Sequence, residues 1–283
     1  MATILRVATA NILSDQSRWV ERREVLLAGL AGVGADVIAL QEVRDPLTGG
    51  NARWLADALG GYEVRACAKA GRRSRREGLA VLSRLPVAGD EVLDLGSQRR
   101  VAQFVRVEAG GRPVAVVNGH YHFPVGAHRA QVRQVGRVLE RVRGLEPGTA
   151  VVACGDFNAT PEAPAVALMR SAFTSAHRAR HGREPAFTCP TPLISGGRVR
   201  RAVTRGLLGL FAAQPSDLWR ATLDYLFVGP EFRVVDCRII LDQPDPDDPT
   251  LYASDHFGLL ATLELGGDPP GRMDHDQGLG ATS

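Results

Sequence analysis

Lysine is almost missing from this chain: Lys69 stands alone, and every other basic residue is arginine. Genomic base composition is the plain reading of that bias, as it is of the many Ala, Gly and Val, with a functional cause as the alternative. Arginine also suits phosphate, because its planar fork binds two oxygens at once. Cysteine is scarce, and Cys67, Cys154, Cys189 and Cys237 lie far apart. No Cys-x-x-Cys or Cys/His spacing is present, so common zinc and redox motifs are excluded and the thiols are expected to be reduced and buried. No apolar run approaches the ~20 residues of a membrane-spanning helix. The first ten residues lack a basic stretch followed by a long apolar one. They read as a strand and not as a secretory signal, so a cytoplasmic protein is expected. A strong excess of one charge is missing too. The net charge of +3, from 34 basic and 31 acidic residues, is too balanced to announce a nucleic-acid binder by itself. What remains is ordinary globular composition, 45% hydrophobic and 23% charged over 283 residues. That excludes disorder across the whole chain.

Short apolar blocks recur at Ile4–Thr9, Asp36–Gln41, Gly78–Ser83, Val101–Val107, Val114–Asn118, Val151–Cys154, Leu223–Val228, Val234–Leu241 and His256–Leu265. Continuous blocks of this length suit strands covered by helices. Helical spacing of apolar residues marks Trp19–Leu30 and Ala127–Val142, and Thr160-Pro161-Glu162 reads as a helix start. The strands of 78–118 follow one another as in an antiparallel meander. The pattern predicts an α+β or mixed-sheet sandwich with helices outside, spanning residues 1–265 as one domain. Residues 266–283 are rich in Gly, Pro and Asp and are expected to form a disordered tail. Two basic segments stand out. One holds Arg65, Lys69, Arg72, Arg73, Arg75 and Arg76. The other, 193–219, holds Arg198, Arg200, Arg201 and Arg205, then Leu207, Leu208, Leu210 and Phe211. The second is long for a connection, and a short amphipathic helix or a flap is expected there.

Polar residues sit at the ends of apolar strands. They are Asn11, Gln41-Glu42, Asn118 with His120, Asp156 with Asn158, Asp224, and Ser254-Asp255-His256. One such residue is usually a cap or a turn former. Six such sites, all Asn, Asp, Glu or His, point to strand ends converging at one mouth of a sandwich. The set fits phosphoryl chemistry. Glu42, Asp255 and the amide oxygen of Asn11 are hard oxygen donors that favour Mg²⁺ or Mn²⁺ over zinc. His256 and His120 can donate to a phosphate, Asp224 can orient a histidine, and Asp156 with Asn158 can handle an attacking water.

Taken in order, these blocks resemble the endonuclease/exonuclease/phosphatase superfamily. They are Asn11 in Thr-Ala-Asn-Ile, Gln41-Glu42, Gly78-Leu-Ala-Val-Leu-Ser-Arg-Leu-Pro86, Asn118-Gly-His120, Gly155-Asp-Phe-Asn158, Leu223-Asp-Tyr-Leu-Phe-Val228 and Ser254-Asp-His256. The resemblance implies a four-layer α/β/β/α sandwich with the site at one edge of two packed sheets. It implies Glu42 as the main Mg²⁺ ligand, assisted by Asn11 and Asp255. Asp156 would position the water beside Asn158, His256 paired with Asp224 would contact the scissile phosphate, and His120 would lie over it. Asn118 and the insert arginines Arg198, Arg200 and Arg201 are expected on the substrate. Gly119 replaces the usual Thr and suggests a looser loop. Glu77 reads as a solvated charge among cations.

The inositol 5-phosphatase signature is absent, since Leu218-Trp219-Arg220 stands in its place, and so is the abasic-endonuclease signature. The resemblance therefore implies a Mg²⁺-dependent phosphodiesterase, with nucleic acid or nucleotides ahead of phospholipid headgroups. A phosphomonoesterase using the same site is the alternative. A catalytically silent binding protein on the same fold is a third reading, and the presence of every matched polar residue argues against it. No stable protein partner is expected.

Overall fold

The computed structural model describes residues 2–71, 76–193 and 220–266. In chain order its elements are β1 (Thr3–Asn11), α1 (Trp19–Ala31), β2 (Val37–Arg44), α2 (Gly50–Leu59), β3 (Glu63–Ala68), β4 (Glu77–Ser83), β5 (Val87–Asp94), β6 (Val101–Ala109), β7 (Arg112–His120), α3 (His128–Arg143), β8 (Ala150–Asp156), α4 (Pro164–Arg170), β9 (Thr174–Ser175), α5 (Ala176–His181), β10 (Asp224–Val228), β11 (Phe232–Ile240) and β12 (Gly258–Leu265).

Two six-stranded sheets result, ordered β11-β12-β1-β2-β4-β3 and β5-β6-β7-β8-β10-β9. Each contains one parallel pair, β1 with β2 and β7 with β8, joined through α1 and α3 respectively. All other pairs are antiparallel. The expected mixed-sheet sandwich is observed, with one difference. β4 belongs to the first sheet, so the meander is only β5-β6-β7.

Alternation along each strand separates two kinds of burial. Leu5, Val7, Val37, Ala39, Val105, Val114, Val116, Val152 and Leu226 fill the space between the sheets. Their neighbours face outward but are buried as well. Ala8, Ile38, Leu40 and Leu82 pack against Leu26 and Leu30 of α1 and Leu55 of α2. Phe104, Val117, Phe157 and Phe227 pack against Val135, Val138 and Leu139 of α3. Burial on both faces explains the unbroken apolar blocks. The three strands without such a block, β3, β5 and the two-residue β9, lie on sheet edges, and β3 and β5 are largely exposed or half-buried. The helix start expected at Thr160 lies at Pro164, because Ala163 N–H bonds Thr160 O and closes a turn first. All four cysteines are free and buried. The insert's Arg198, Arg200, Arg201 and Arg205, with its apolar run, and the tail from 267 onward lie outside the described residues. No helix among the described residues is long and apolar enough to cross a membrane.

Candidate active site

The inward stripe of each central strand is apolar until its last residues. Leu5 and Val7 lead to Thr9 and Asn11, Val37 and Ala39 to Gln41, Val114 and Val116 to Asn118 and His120, and Val152 and Cys154 to Asp156. β10 runs antiparallel to β8, so its first residue, Asp224, pairs with Asp156 at the same edge. One end of the inter-sheet layer is therefore polar by construction.

Glu42 reaches this edge through a β-bulge. The register with β4 shifts between Gln41 and Val43, and Glu42 takes a left-handed φ of 57°. That conformation is strained for a non-glycine residue and persists only where surrounding structure holds it. Ser14 holds it, since its N–H and hydroxyl both donate to Glu42 Oε2 at 2.9 Å. Burial would raise this carboxyl, but the Ser14 N–H, His256, the Ser14 hydroxyl and Arg100 bring it below its ordinary value.

Asn11 lies beneath the carboxylates. Its amide nitrogen donates to Asp156 Oδ2 at 3.0 Å and Glu42 Oε1 at 3.3 Å, while its oxygen accepts from Leu13 N–H. The amide oxygen expected as a metal donor is thus turned away, and Asn11 positions two carboxylates instead. Asp156 Oδ1 accepts from Asn158 N–H at 2.8 Å. Burial pushes the Asp156 carboxyl up to about 7, with His256 pulling the other way.

His120 is set by Arg100. The guanidinium stands 2.7 Å from Nδ1, and arginine can only donate, so Nδ1 accepts and Nε2 carries the proton. Nε2 lies 3.4 Å from Asp156 Oδ2 and 4.0 Å from Glu42 Oε1. Burial, then Arg100 and Lys69, hold the imidazole well below its ordinary range, so it is neutral.

His256 is the opposite case. Its Nδ1 donates to Asp224 Oδ2 at 2.9 Å, and Thr188 Oγ1 donates to the same oxygen at 2.6 Å. Burial opposes protonation of His256, but Cys189, Asp224 and Asp156 together raise it well above the ordinary value. The Cys189 thiol is itself pushed up to about 11 by burial and is neutral near pH 7, so the carboxylates carry the effect. Asp156, Asp224 and His256 offer donor atoms within 4.8 Å of one another. The Asp224–His256 bond occupies two of them, so these two form a hydrogen-bonded pair with Asp156 close beside it.

Glu42, Asp156, Asp255, His120, His256 and Asn158 all line one cavity of about 440 Å³. Among the described residues the Asp255 carboxylate makes no ion pair, and it accepts one hydrogen bond, from the Ser254 hydroxyl at 3.3 Å. Burial, then the neighbouring Glu42, raise its carboxyl, with His256 opposing. Neighbouring Glu42 and Asp255, the latter without an ion pair among the described residues, are an oxygen-donor set that fits a hard divalent ion.

The family model for endonuclease/exonuclease/phosphatase proteins matches residues 8–256. The chain belongs to this family. No curated protein sequence matches it. Among solved structures, a Bacteroides vulgatus endonuclease/exonuclease/phosphatase superposes with a TM-score of 0.73 at 20% identity, over 93% of this chain and 99% of that one. D. rerio TDP2, solved with a single-strand DNA product, gives 0.72 at 15% identity over 92% and 98%. The human Nocturnin catalytic domain, solved with a sulfate anion, gives 0.70 at 21% identity over 93% and 94%. These likenesses show the fold, a two-sheet sandwich with flanking helices that is the family's phosphoester-hydrolase fold.

Three family positions behave differently from expectation. Asn118 does not reach the cavity. It is fully buried, donates to Leu40 O at 3.0 Å and Ala80 O at 3.1 Å, and accepts from Gln41 Nε2 at 2.8 Å, so it ties the two sheets together. Gly119 is not a loose point. A Cβ there would lie 2.6 Å from the Tyr121 ring, so glycine makes room for that packing. Glu77 is not a free solvated charge, because it pairs with Lys69 and stands 3.7 Å from Arg100 at the cavity rim. Lys69, Gln98, Arg100, Phe123, Cys189 and Leu223 complete the lining, and no strand-end signal marks them in the sequence. Arg22 carries no such signal either. It is fully buried on α1 and donates to the carbonyls of Ile12, Leu13, Asp15, Ser17 and Ala253, holding the loops that follow Asn11 and precede Asp255.

Proposed function

We propose that the protein is a Mg²⁺-dependent phosphodiesterase. The observation that carries this reading is a single cavity onto which three carboxylates, two histidines and one amide converge, with one imidazole held by Arg100 and the other by Asp224. Glu42 and Asp255 would hold the ion, with Mn²⁺ as a substitute. The bound ion supplies Lewis-acid polarisation of a phosphoryl oxygen and screening of the charge that develops there.

The chain's own residues do the rest. Asp156, braced by Asn11 and by Asn158 N–H, accepts a proton from the attacking water. Its raised carboxyl is suited to that exchange near neutral pH. Asn158 orients the water. His256, kept protonated by Asp224, donates to a phosphate oxygen as negative charge builds. His120 presents Nε2–H as a neutral donor, because Arg100 occupies its other nitrogen. The single-strand DNA product in the TDP2 structure favours nucleic acid over phospholipid headgroups as the substrate class.

A panel of phosphodiesters and phosphomonoesters with Mg²⁺, Mn²⁺ or EDTA tests this. Phosphodiester cleavage that EDTA abolishes is expected. Release of inorganic phosphate without diester cleavage would transfer the reading to a phosphomonoesterase. No metal-dependent turnover on any member would leave a binding protein.

A further inference from the structure

Beside the catalytic cavity lies a second depression of about 620 Å³ that no step above uses. Its charged lining is Arg170 at the end of α4, Arg178 on α5, Arg183 and Arg220, with Glu162 and Glu184. Glu184 feels Arg170 and Arg178 through space, but neither groove carboxylate comes within ion-pair distance of them. None of the four arginines has an ion pair with a described residue. By contrast, Arg180 on the same short helix stands 3.4 Å from Asp236. Glu184 turns inward instead, accepting from the Ser175 hydroxyl at 2.8 Å, and its other oxygen is buried without a partner. Four guanidinium groups are thus concentrated in a concave surface with their donors uncommitted to carboxylates of the described residues. Arginine forks of this kind bind phosphate oxygens in pairs.

The groove shares a wall with the cavity. Asn158 and Leu223 line the cavity, whereas Thr160, Ala221 and Thr222 line the groove. Residues two apart in the chain lie within roughly 7 Å of each other, so the two depressions adjoin along this wall. The wall is fixed. Ala221 exchanges backbone hydrogen bonds with Cys189, and the Thr222 hydroxyl donates to Pro185 O at 2.6 Å. Arg220 is held in place by Phe187, with its guanidinium 4.7 Å from the ring centre. Phe187 packs at 5.5 Å on Phe257, the residue after His256. None of the large apolar side chains exposed on the described surface (Ile4, Leu47 and Val235 among them) lines this groove, which therefore does not suit a lipid surface.

We infer that this groove is a second phosphate subsite, which holds the backbone of a single-stranded nucleic acid next to the bond being cleaved. The inference rests on the phosphodiesterase reading for the identity of that bond, but its test does not need turnover. The probe is a short fluorescein-labelled single-stranded oligonucleotide, followed by anisotropy in EDTA across a range of salt. The variants are Arg178→Gln/Arg183→Gln, at exposed positions where loss of fold is not expected, and Arg220→Gln. Arg137→Gln/Arg143→Gln on α3 removes the same charge from outside the groove.

The groove variants are expected to bind roughly tenfold more weakly at low salt. The dependence of log affinity on log salt should become shallower by about 0.7 for each phosphate that the protein no longer neutralises. The α3 variant should change affinity by less than about twofold. With Mg²⁺, hydrolysis of bis(p-nitrophenyl) phosphate, which has no second phosphate, should be the same in all of them. Wild-type affinity in the groove variants overturns the proposal. So does an equal weakening in the α3 variant, or binding to anionic vesicles in preference to the oligonucleotide. Failure of the wild type to hydrolyse any diester would instead overturn the phosphodiesterase reading and leave the binding result to be judged alone.

Discussion

Replacing Arg22 by Met tests whether one buried cation holds the site loops. Arg22 has no solvent exposure and donates five hydrogen bonds, all to backbone carbonyls. Two of these, to Ile12 O at 3.1 Å and Ala253 O at 3.0 Å, are fully buried. The other three are partly buried and can exchange to water at little cost. Two orphaned buried carbonyls cost about 1–3 kcal/mol each. Burial of the methionine side chain offsets about 1–2 kcal/mol of that. Mid-range values, about 4 less about 1.5 kcal/mol, leave a net loss of about 2.5 kcal/mol. For a domain of this size each kcal/mol lowers Tm by about 2–4 °C, so calorimetry of the EDTA-treated protein should show a fall of roughly 5–10 °C. Ile12 and Ala253 flank Asn11 and Asp255, so Mg²⁺ affinity by isothermal titration should weaken together with stability. A Tm within about 2 °C of wild type would show that these carbonyls find other partners and that the argument is wrong. A fall in Tm with unchanged Mg²⁺ affinity would detach Arg22 from the site.

Glu42→Gln keeps the shape of the side chain and the Ser14 hydrogen bonds but removes the charge. Turnover at limiting Mg²⁺ should fall by at least about 100-fold while the circular dichroism is unchanged, and near-normal turnover would remove Glu42 from the ion. His256→Ala should lower kcat by about 10²–10⁴-fold. Adding Asp224→Asn should then cost little more, because the pair acts as a unit, and full additivity would contradict the 2.9 Å bond. His256 should also be visible by NMR titration in EDTA as an imidazolium that persists above neutral pH. Its folded value is raised, so its contribution to stability is fully present below about pH 6.5 and is lost as pH rises through the folded value. Asp224→Asn should flatten that part of the stability profile, and an unchanged profile would show that the carboxylate does not hold the proton.

Much of the site is legible because central strands carry their burial in their composition. β1, β2, β7, β8 and β10 are apolar on both faces, so a polar residue at their ends stands out. β3 and β5 are hidden for the converse reason, since edge strands keep charged residues such as Glu63 and Asp90 on exposed surface. The strand-end argument also treats Asn118 and His120 alike. They share an inward face, but Asn118 is one step deeper and meets Gln41 of the opposite sheet before it meets the cavity. Glu42 is legible but the bulge that aims it is not, because a left-handed φ at a glutamate leaves no mark on the sequence. Lys69 and Arg100 come from the ends of other segments and converge through Glu77, a meeting that only pairing of β3 with β4 creates.

The tie between Gln41 and Asn118 has a mechanical consequence. Apolar contact between two sheets is non-directional, and interdigitating side chains alone fix their offset less sharply than hydrogen bonds do. Directional amide bonds at 2.8, 3.0 and 3.1 Å act as a pin through both layers. Asn11 and Glu42 ride on one layer, and Asp156, His120 and Asp224 on the other. The gap that the proposed phosphate would occupy is therefore an inter-layer alignment, which a bond set outside the cavity helps to fix. Asn118→Leu, which keeps the volume and removes the pin, would detune every cross-layer distance together, and catalysis would register a slip too small to alter the fold.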